Sequence, residues 1–243
     1  SEPAVVSSAV NRVMTDHEYR EQVIWGQDRR LEKLTSFDTQ AALVRVLDYV
    51  SGTDLPIRVQ VQGPIESSYS LAILNREAAF QLSSQTDFDV SVYPTEGPGD
   101  YAPKLDELNG ITGLPELYER GLKTSYPDVV VRQMFPPRVK DTTASLTLQY
   151  FGWEESLVPA EFVKDFNDHV HRVMVMSGFV KDALRNSGVT IPIDVVGVGV
   201  RPPMSDETVV IEELQNLKRV RLLHISSAFP RKGVDVLLNA YFC

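Results

Sequence analysis

The chain has 243 residues, enough for one large domain or two smaller ones. Its hydrophobic content of 43% suits a packed core, and its net charge of -9 argues against a generic nucleic-acid or anionic-membrane surface. The single cysteine, Cys243, excludes an internal disulfide, and no apolar run reaches the roughly 18 residues of a membrane helix. The first residues lack the features of a signal peptide, so we expect an internal cut or a processed chain.

Residues 1–52 are predicted to form a helical N-terminal extension. Apolar residues recur at helical spacing from Asp16 to Val50, with charged residues between them. A break at residues 35–38 divides this stretch into two helices, with Ser36 or Asp38 as an N-cap. We find no chemistry in the extension and expect it to have a packing role.

Strands and helices alternate from residue 53 to residue 203. The predicted strands are Ile57–Gln62, Phe88–Tyr93, Val129–Arg132, Ser145–Tyr150, Arg172–Met176 and Ile193–Val198. The predicted helices are Leu71–Leu82, Pro115–Lys123, Ala160–His169 and Gly178–Asn186. This alternation predicts an α/β fold, a Rossmann-like parallel sheet with helices on both faces. Ligands of such sheets bind at the carboxyl ends of the strands.

The first strand is followed by the loop Gly63-Pro64-Ile65-Glu66-Ser67-Ser68-Tyr69, which opens a helix. Gly63 permits close approach of a ligand to the backbone, and Ser67 or Ser68 is a candidate helix cap. The alternative interpretation is a plain strand-to-helix turn.

A second run at a strand end combines aromatic and acidic residues. Trp153 and Glu154 follow the strand that ends at Tyr150 and precede a helix. A ring next to a carboxylate suits a sugar, because the ring covers apolar C–H faces and the carboxylate accepts from hydroxyls. The alternative is a core tryptophan with a solvated acidic turn.

The end of the chain is predicted to begin a second α/β unit. Residues 204–219 are predicted to be an interdomain linker, and residues 220–243 begin with a strand at Leu222–Ile225. Arg231-Lys232-Gly233 then open an apolar helix. A helix N-terminus offers unpaired N–H groups and partial positive charge, so two adjacent cations favour phosphate binding. The alternative is a solvated basic pair.

Other chemistries find little support in the residues. His169 and His171 would face different sides of a helix and have no further ligand nearby, so we expect no metal site. The chain has no Gly-x-Ser-x-Gly elbow for a hydrolase, and no Gly-x-Gly-x-x-Gly follows the first strand.

Two segments carry a resemblance to a known family. LLHISSAFPRKGVDVLLNAYF and VMVMSGFVKDALRNSGVTIPIDVVGVGV, the latter with Ser177, Phe179, Gly188 and Gly199 in matching positions, resemble family-4 (group 1) glycosyltransferases of the GT-B fold. The resemblance covers roughly Ile57 to Phe242. Residues 53–203 resemble the N-terminal, acceptor-binding domain, and residues 220–243 the start of a truncated nucleotide-sugar-binding domain. Ser226-Ser227 replace a frequent Gly-Arg of the family, and Arg201 replaces an acidic residue.

The resemblance implies a retaining hexosyltransferase that moves a sugar from a nucleotide-diphosphate donor to a hydroxyl of a glycan or lipid-linked glycan, without metal or cofactor. It implies a catalytic role for Glu154. It implies donor-phosphate contacts from Gly63, Arg231, Lys232 and Gly233, and acceptor contacts from Ser67, Ser68, Tyr69 and Trp153.

A fragment of this kind is expected to be inactive alone, because it lacks most of the donor domain. Its apolar C-terminal segment is expected to dock on its own N-terminal domain, to self-associate with a neighbouring molecule, or to be disordered. No nucleic-acid partner is expected. The expected location is the cytoplasm, with peripheral membrane attachment of the intact protein left open. The alternative is a non-catalytic α/β binding or assembly module. A third interpretation, a sugar-nucleotide epimerase of similar fold, is less well supported, because it gives no role to Arg231-Lys232-Gly233.

Overall fold

The computed structural model describes residues 11–35, 55–97, 99–124, 126–199, 224–226, 229 and 232–242. The chain divides into two compact units, Ser1–Arg201 and Pro202–Cys243. The first contains α1 (His17–Thr35), β1 (Ile57–Gly63), α2 (Ser70–Ser83), β2 (Phe88–Glu96), β3 (Gly99–Asp100), α3 (Leu105–Asn109), α4 (Leu114–Lys123), β4 (Val129–Arg132), β5 (Leu146–Phe151), α5 (Ala160–His169), β6 (Arg172–Val175), α6 (Gly178–Asn186) and β7 (Ile193–Val195). The second contains α7 (Val234–Phe242).

The strands form one seven-stranded sheet in the order β3-β2-β1-β4-β5-β6-β7. Every pair is parallel except β2 with the short β3. The predicted α/β, Rossmann-like fold is therefore confirmed, and all six predicted strands are present. β3 was not predicted, because a two-residue strand leaves no alternation in the sequence. The predicted boundaries at residues 52, 203 and 219 lie outside the described residues.

Helix α1 begins where a side chain caps it. Asp16 Oδ1 accepts from the Tyr19 N–H at 3.0 Å, which satisfies one of the first N–H groups of the helix. The predicted break at residues 35–38 and its N-caps, Ser36 or Asp38, fall on or beyond the end of the described helix. Within the part of the chain that the structure describes, no helix has the length and apolar character needed to cross a membrane.

Two apolar clusters hold the helices against the sheet. Val61 of β1 is in register with Val92 of β2 and Val131 of β4, and these pack with Leu114 and Leu117 of α4. The second cluster joins β5, β6 and β7 to α5 and α6 through Phe151, Phe166, Val173, Val175 and Leu184. Burial of each such side chain contributes roughly 1.5–3 kcal/mol. The clusters align the carboxyl ends of the central strands along one edge.

The face of β1, β4 and β5 that points away from the first apolar cluster carries polar side chains. Side chains alternate between the faces of a sheet, so Gln60 and Gln62 point away from Val61. Gln62 is in register with Arg132, and Arg132 with Gln149, and all four of these polar side chains are buried. Arg132 Nε donates to Gln62 Oε1 at 2.9 Å, and Gln62 Nε2 donates to Gln60 Oε1 at 2.7 Å. The predicted alternation did not reveal this layer, because its partners come from separate strands.

Candidate functional site

The sheet has one point at which its connections change direction. β1 leads through α2 to β2 on one side, while β4 lies on the other side of β1 and leads on to β5. Parallel α/β sheets bind ligands in the crevice at the carboxyl ends of such a strand pair. Here Gly63 ends β1, and Gln133 follows β4 and donates its N–H to the Gln62 carbonyl at 2.9 Å.

Gly63 has a packing reason to be glycine. Its φ is +155°, and a Cβ there would lie 2.1 Å from the Gln133 carbonyl oxygen and 2.3 Å from Asn75 Nδ2. Asn75 Nδ2 in turn donates to the carbonyls of Pro64 (2.9 Å) and Gln133 (3.1 Å). Protein atoms therefore fill the space that the missing side chain leaves. The donor-phosphate role of Gly63 stays a prediction.

The predicted caps of α2 are wrong. The helix begins at Ser70 after Tyr69, and no side chain caps it, so neither Ser67 nor Ser68 does. Arg76 folds back instead and donates from Nη1 to the carbonyls of Ile65 (2.6 Å) and Ser67 (2.7 Å). Ser67 Oγ is buried without a hydrogen-bond partner among the described residues, whereas Ser68 is exposed. The loop conformation is thus set by an arginine from the helix, because it satisfies two loop carbonyls at once.

Two tyrosine–glutamate pairs line the loop at the carboxyl edge. The Tyr101 hydroxyl donates to Glu66 Oε2 at 2.7 Å and accepts from the Ile65 N–H at 3.2 Å. The Tyr69 hydroxyl donates to Glu96 Oε1. Burial, reinforced by these carboxylates, raises the pKa of both phenols well above the ordinary value. Both phenols therefore remain protonated donors across the physiological range.

The sequence pattern predicts Tyr69 in this site but not Glu66, Glu96 or Tyr101. Glu66 belongs to the loop that follows β1, but nothing in the sequence links that loop to Glu96 and Tyr101, about 30 positions later. The β2–β3 hairpin creates the link, because it brings Glu96 and Tyr101 back to the loop that follows β1.

Trp153 lies at the carboxyl end of β5 and is half-buried. Its ring stacks on Phe151 with 5.8 Å between centroids and meets Phe162 edge-on at 6.3 Å. Its Nε1 donates to the Leu157 carbonyl at 2.9 Å. On its other side Phe135, 53% exposed, lies with its ring centroid at 6.4 Å. The indole is therefore anchored in the second apolar cluster next to an exposed aromatic ring.

Glu154 follows with an exposed side chain. Its position at the carboxyl edge of β5 agrees with the predicted location of the run, one strand beyond β4. Its catalytic role stays a prediction, as does the open cleft that we expect next to Trp153 and Glu154.

The second unit contains the predicted phosphate-binding turn. Arg231 lies outside the described residues. Lys232 is exposed, its N–H donates to the Phe229 carbonyl at 2.8 Å, and Gly233 has a φ of +65° immediately before α7. The strand predicted at Leu222–Ile225 is wrong for its described residues, because neither His224 nor Ile225 is in a strand. Phosphate binding by this turn stays a prediction.

Two further features bear on the predicted sites. Among the described residues, no group of three or more His, Cys, Asp or Glu is arranged to hold a metal ion. His171 Nδ1 instead accepts from the Thr147 N–H at 3.0 Å, next to the sheet. A surface depression of about 480 Å³ is lined by Pro115, Glu116, Glu119, Arg120 and Lys123, all from α4 and none of them a predicted site residue.

Neither a scan of protein-family models nor a search of curated proteins finds a match to this chain.

Proposed function

We propose that the sheet domain binds the saccharide acceptor of a retaining, nucleotide-sugar-dependent hexosyltransferase of the GT-B type. The connections between its parallel strands change direction between β1 and β4, which is where α/β sheets bind small molecules. The sequence resemblance supplies the reaction class, and the polar groups at this edge supply the chemistry for a hydroxyl-rich ligand.

The two tyrosine–glutamate pairs are the observation that carries the proposal. A carboxylate has about four acceptor sites and gives only part of them to one phenol. Tyr101 and Tyr69 each hold one carboxylate oxygen, of Glu66 and Glu96 respectively, and leave the remaining acceptor sites for a ligand. Oriented carboxylates accept hydrogen bonds from sugar hydroxyls, and their prior ordering lowers the entropic cost of binding.

The same charges disfavour a phosphate at the first loop. Glu66 and Glu96 lie close to the end of β1 and outnumber the Arg76 guanidinium that bonds the same loop, and like charges repel. The donor diphosphate is therefore assigned in this proposal to Lys232 and Gly233, with Arg231, in the second unit. Glu154 is the proposed catalytic carboxylate, and Trp153 the aromatic contact of the acceptor. The proposal includes no metal and no cofactor besides the donor.

Saccharide binding is measurable through Trp153. The chain has two tryptophans, so Trp25→Phe leaves Trp153 as the sole indole. We expect methyl glucoside, methyl mannoside or N-acetylglucosamine to change its emission in a saturable way, with a Kd of order 1 mM, equivalent to about -4 kcal/mol. The matched Trp153→Phe variant retains Trp25 of α1 and is expected to show no change.

A second arm tests the carboxylates. Glu66→Gln with Glu96→Gln keeps the shapes and removes both charges, so saccharide affinity is expected to fall about tenfold, whereas Glu116→Gln on α4 leaves it unchanged. Binding of nucleotide-diphosphate sugars is expected to be weak. Submicromolar binding would contradict the proposal that the acceptor and the donor diphosphate bind at separate sites. A folded chain that binds none of the saccharides favours the non-catalytic assembly module.

A further inference from the structure

Gln133 is a buried amide whose hydrogen bonds are not made. It is 2% exposed, and neither Nε2 nor Oε1 has a partner among the described residues. Burial of an unsatisfied polar group is unfavourable, because the group has lost its hydrogen bonds to water without replacing them. Gln60 and Gln62 are equally buried, yet both are bonded in the polar layer of the sheet. Gln149 lacks a partner only for Oε1, because its Nε2 donates to the Tyr150 carbonyl, so Gln133 differs from these buried glutamines in that both of its amide atoms are unsatisfied.

The backbone N–H and carbonyl of Gln133 are both hydrogen-bonded, so the backbone does not account for the unsatisfied side chain. The Gln133 N–H donates to the Gln62 carbonyl, and its own carbonyl accepts from Asn75. The residue lies at the carboxyl ends of β1 and β4, against Gly63, where the loop of the first tyrosine–glutamate pair begins. That loop contains the second orphan group, Ser67 Oγ. Two unsatisfied polar side chains therefore follow the carboxyl ends of β1 and β4, the edge at which parallel sheets bind ligands.

The chemistry of these groups selects one class of ligand. A primary amide presents a donor next to an acceptor, and a serine hydroxyl is both. A sugar hydroxyl is also both, so it satisfies either atom of the amide. An ionised phosphate oxygen only accepts, which leaves Oε1 unsatisfied.

We infer that Gln133, together with Ser67, forms the part of this crevice that recognises a saccharide hydroxyl, and that the crevice selects a neutral polyol over a phosphate. This inference rests on the proposed acceptor-binding function and names two residues that would recognise the acceptor. Because Gln133 is covered, contact with the ligand requires residues 64–69 to open locally.

The first test is Gln133→Met, which keeps the volume and removes the unsatisfied amide. The melting temperature is expected to stay equal or rise, while saccharide affinity in the Trp153 assay falls about tenfold. The matched control is Gln60→Met, which removes a bonded amide and is expected to lower the melting temperature. A folded Gln133→Met variant with unchanged affinity overturns the inference.

The second test uses the wild-type chain and does not depend on the variant folding. The side-chain NH₂ signals of Gln133, assigned by triple-resonance NMR, are expected to shift when N-acetylglucosamine or the methyl glycosides are added, and to stay unshifted with inorganic pyrophosphate. Unshifted signals while Trp153 still reports saccharide binding overturn this inference alone, as does a shift with pyrophosphate only. No binding in either assay overturns both this inference and the proposed function.

Discussion

Arg132 is the residue around which the polar side of the carboxyl edge is organised. It is 3% exposed and pairs with Asp141, while Arg138 reaches Asp141 Oδ2 at 3.1 Å and Asp100 Oδ1 at 3.2 Å. A buried cation is tolerated only where partners replace its lost hydration. This network ties the segment after β4 to the β2–β3 hairpin, and the hairpin positions Glu96 and Tyr101.

Removing Asp141 is therefore expected to cost far more than removing a surface carboxylate. Asp141→Ala leaves Arg132 buried without its counter-ion and should lower the free energy of unfolding by about 3 kcal/mol. The matched variant Asp168→Ala breaks the exposed Lys164–Asp168 pair and should leave that free energy nearly unchanged. Urea denaturation at pH 7 measures both, and equal effects would contradict a structural role for the network.

The same pair predicts a pH dependence. Burial acts to raise the pKa of Asp141, but Arg132 and Arg138 outweigh it, so the pKa lies below the ordinary value in the folded chain. A depressed carboxyl pKa contributes stability that is present above the unfolded value of about 3.9 and is lost as the pH falls through the folded value. The wild type should thus lose stability below about pH 4. Asp141→Asn should lose less over that window, and parallel curves would count against the pair as the cause.

Helix α4 illustrates how an element protects the open edge of a sheet. β3 pairs only with the end of β2, so among the described residues no strand neighbours the earlier part of that edge. Arg120 Nη1 donates to the Val90 carbonyl at 2.9 Å, and Gly121 lets the helix backbone approach Val92. Covering an edge in this way satisfies its polar groups and prevents pairing with another chain.

Gly121→Ala tests this packing. The added Cβ would lie 1.9 Å from the Val92 carbonyl oxygen, so α4 must move away, and the free energy of unfolding should fall by at least about 1–3 kcal/mol. Gly178→Ala at the start of α6 is the matched control, because a Cβ there meets nothing within 4 Å. It should be neutral or stabilising by up to about 1 kcal/mol. Thermal and urea unfolding compare the two, and a neutral Gly121→Ala would show that α4 does not depend on this close approach.

The whole molecule consists of two compact units of very different size, Ser1–Arg201 and Pro202–Cys243. Both apolar clusters, the polar layer and the crevice between β1 and β4 belong to the first unit. A unit with its own core meets the physical requirement for independent folding.

A chain that ends at Arg201 is therefore expected to unfold in one cooperative transition and to bind saccharides as the full chain does. Calorimetry and the Trp153 assay measure these two properties. The comparison is the same chain with Val61→Ala in the first cluster, for which about 2–4 kcal/mol of stability should be lost. A truncated chain that melts without cooperativity would show that the second unit completes the fold.

Much of the sheet was predictable, because strand and helix periodicities are local properties. The strand Val129–Arg132 and the helices Ala160–His169 and Gly178–Asn186 match their predicted bounds. The predictions from the sequence were wrong where hydrogen bonds from a distant residue or strand determine the local backbone conformation. Ser67 and Ser68 looked like caps, but Arg76 sets the loop, and β3 exists only because Thr95 and Glu96 offer it an edge.

The alternation of predicted strands and helices along the chain by itself determined the α/β class, the parallel sheet and the edge at which ligands are expected, since each strand and helix is recognised from its local periodicity. The tertiary structure decided which side chains meet at that edge. Glu66 meets Tyr101 through the β2–β3 hairpin, and Gln133 lies against Gly63, 70 positions earlier in the chain, because β4 pairs with β1. Such encounters depend on strand order, and strand order follows from packing of the whole chain rather than from any short segment.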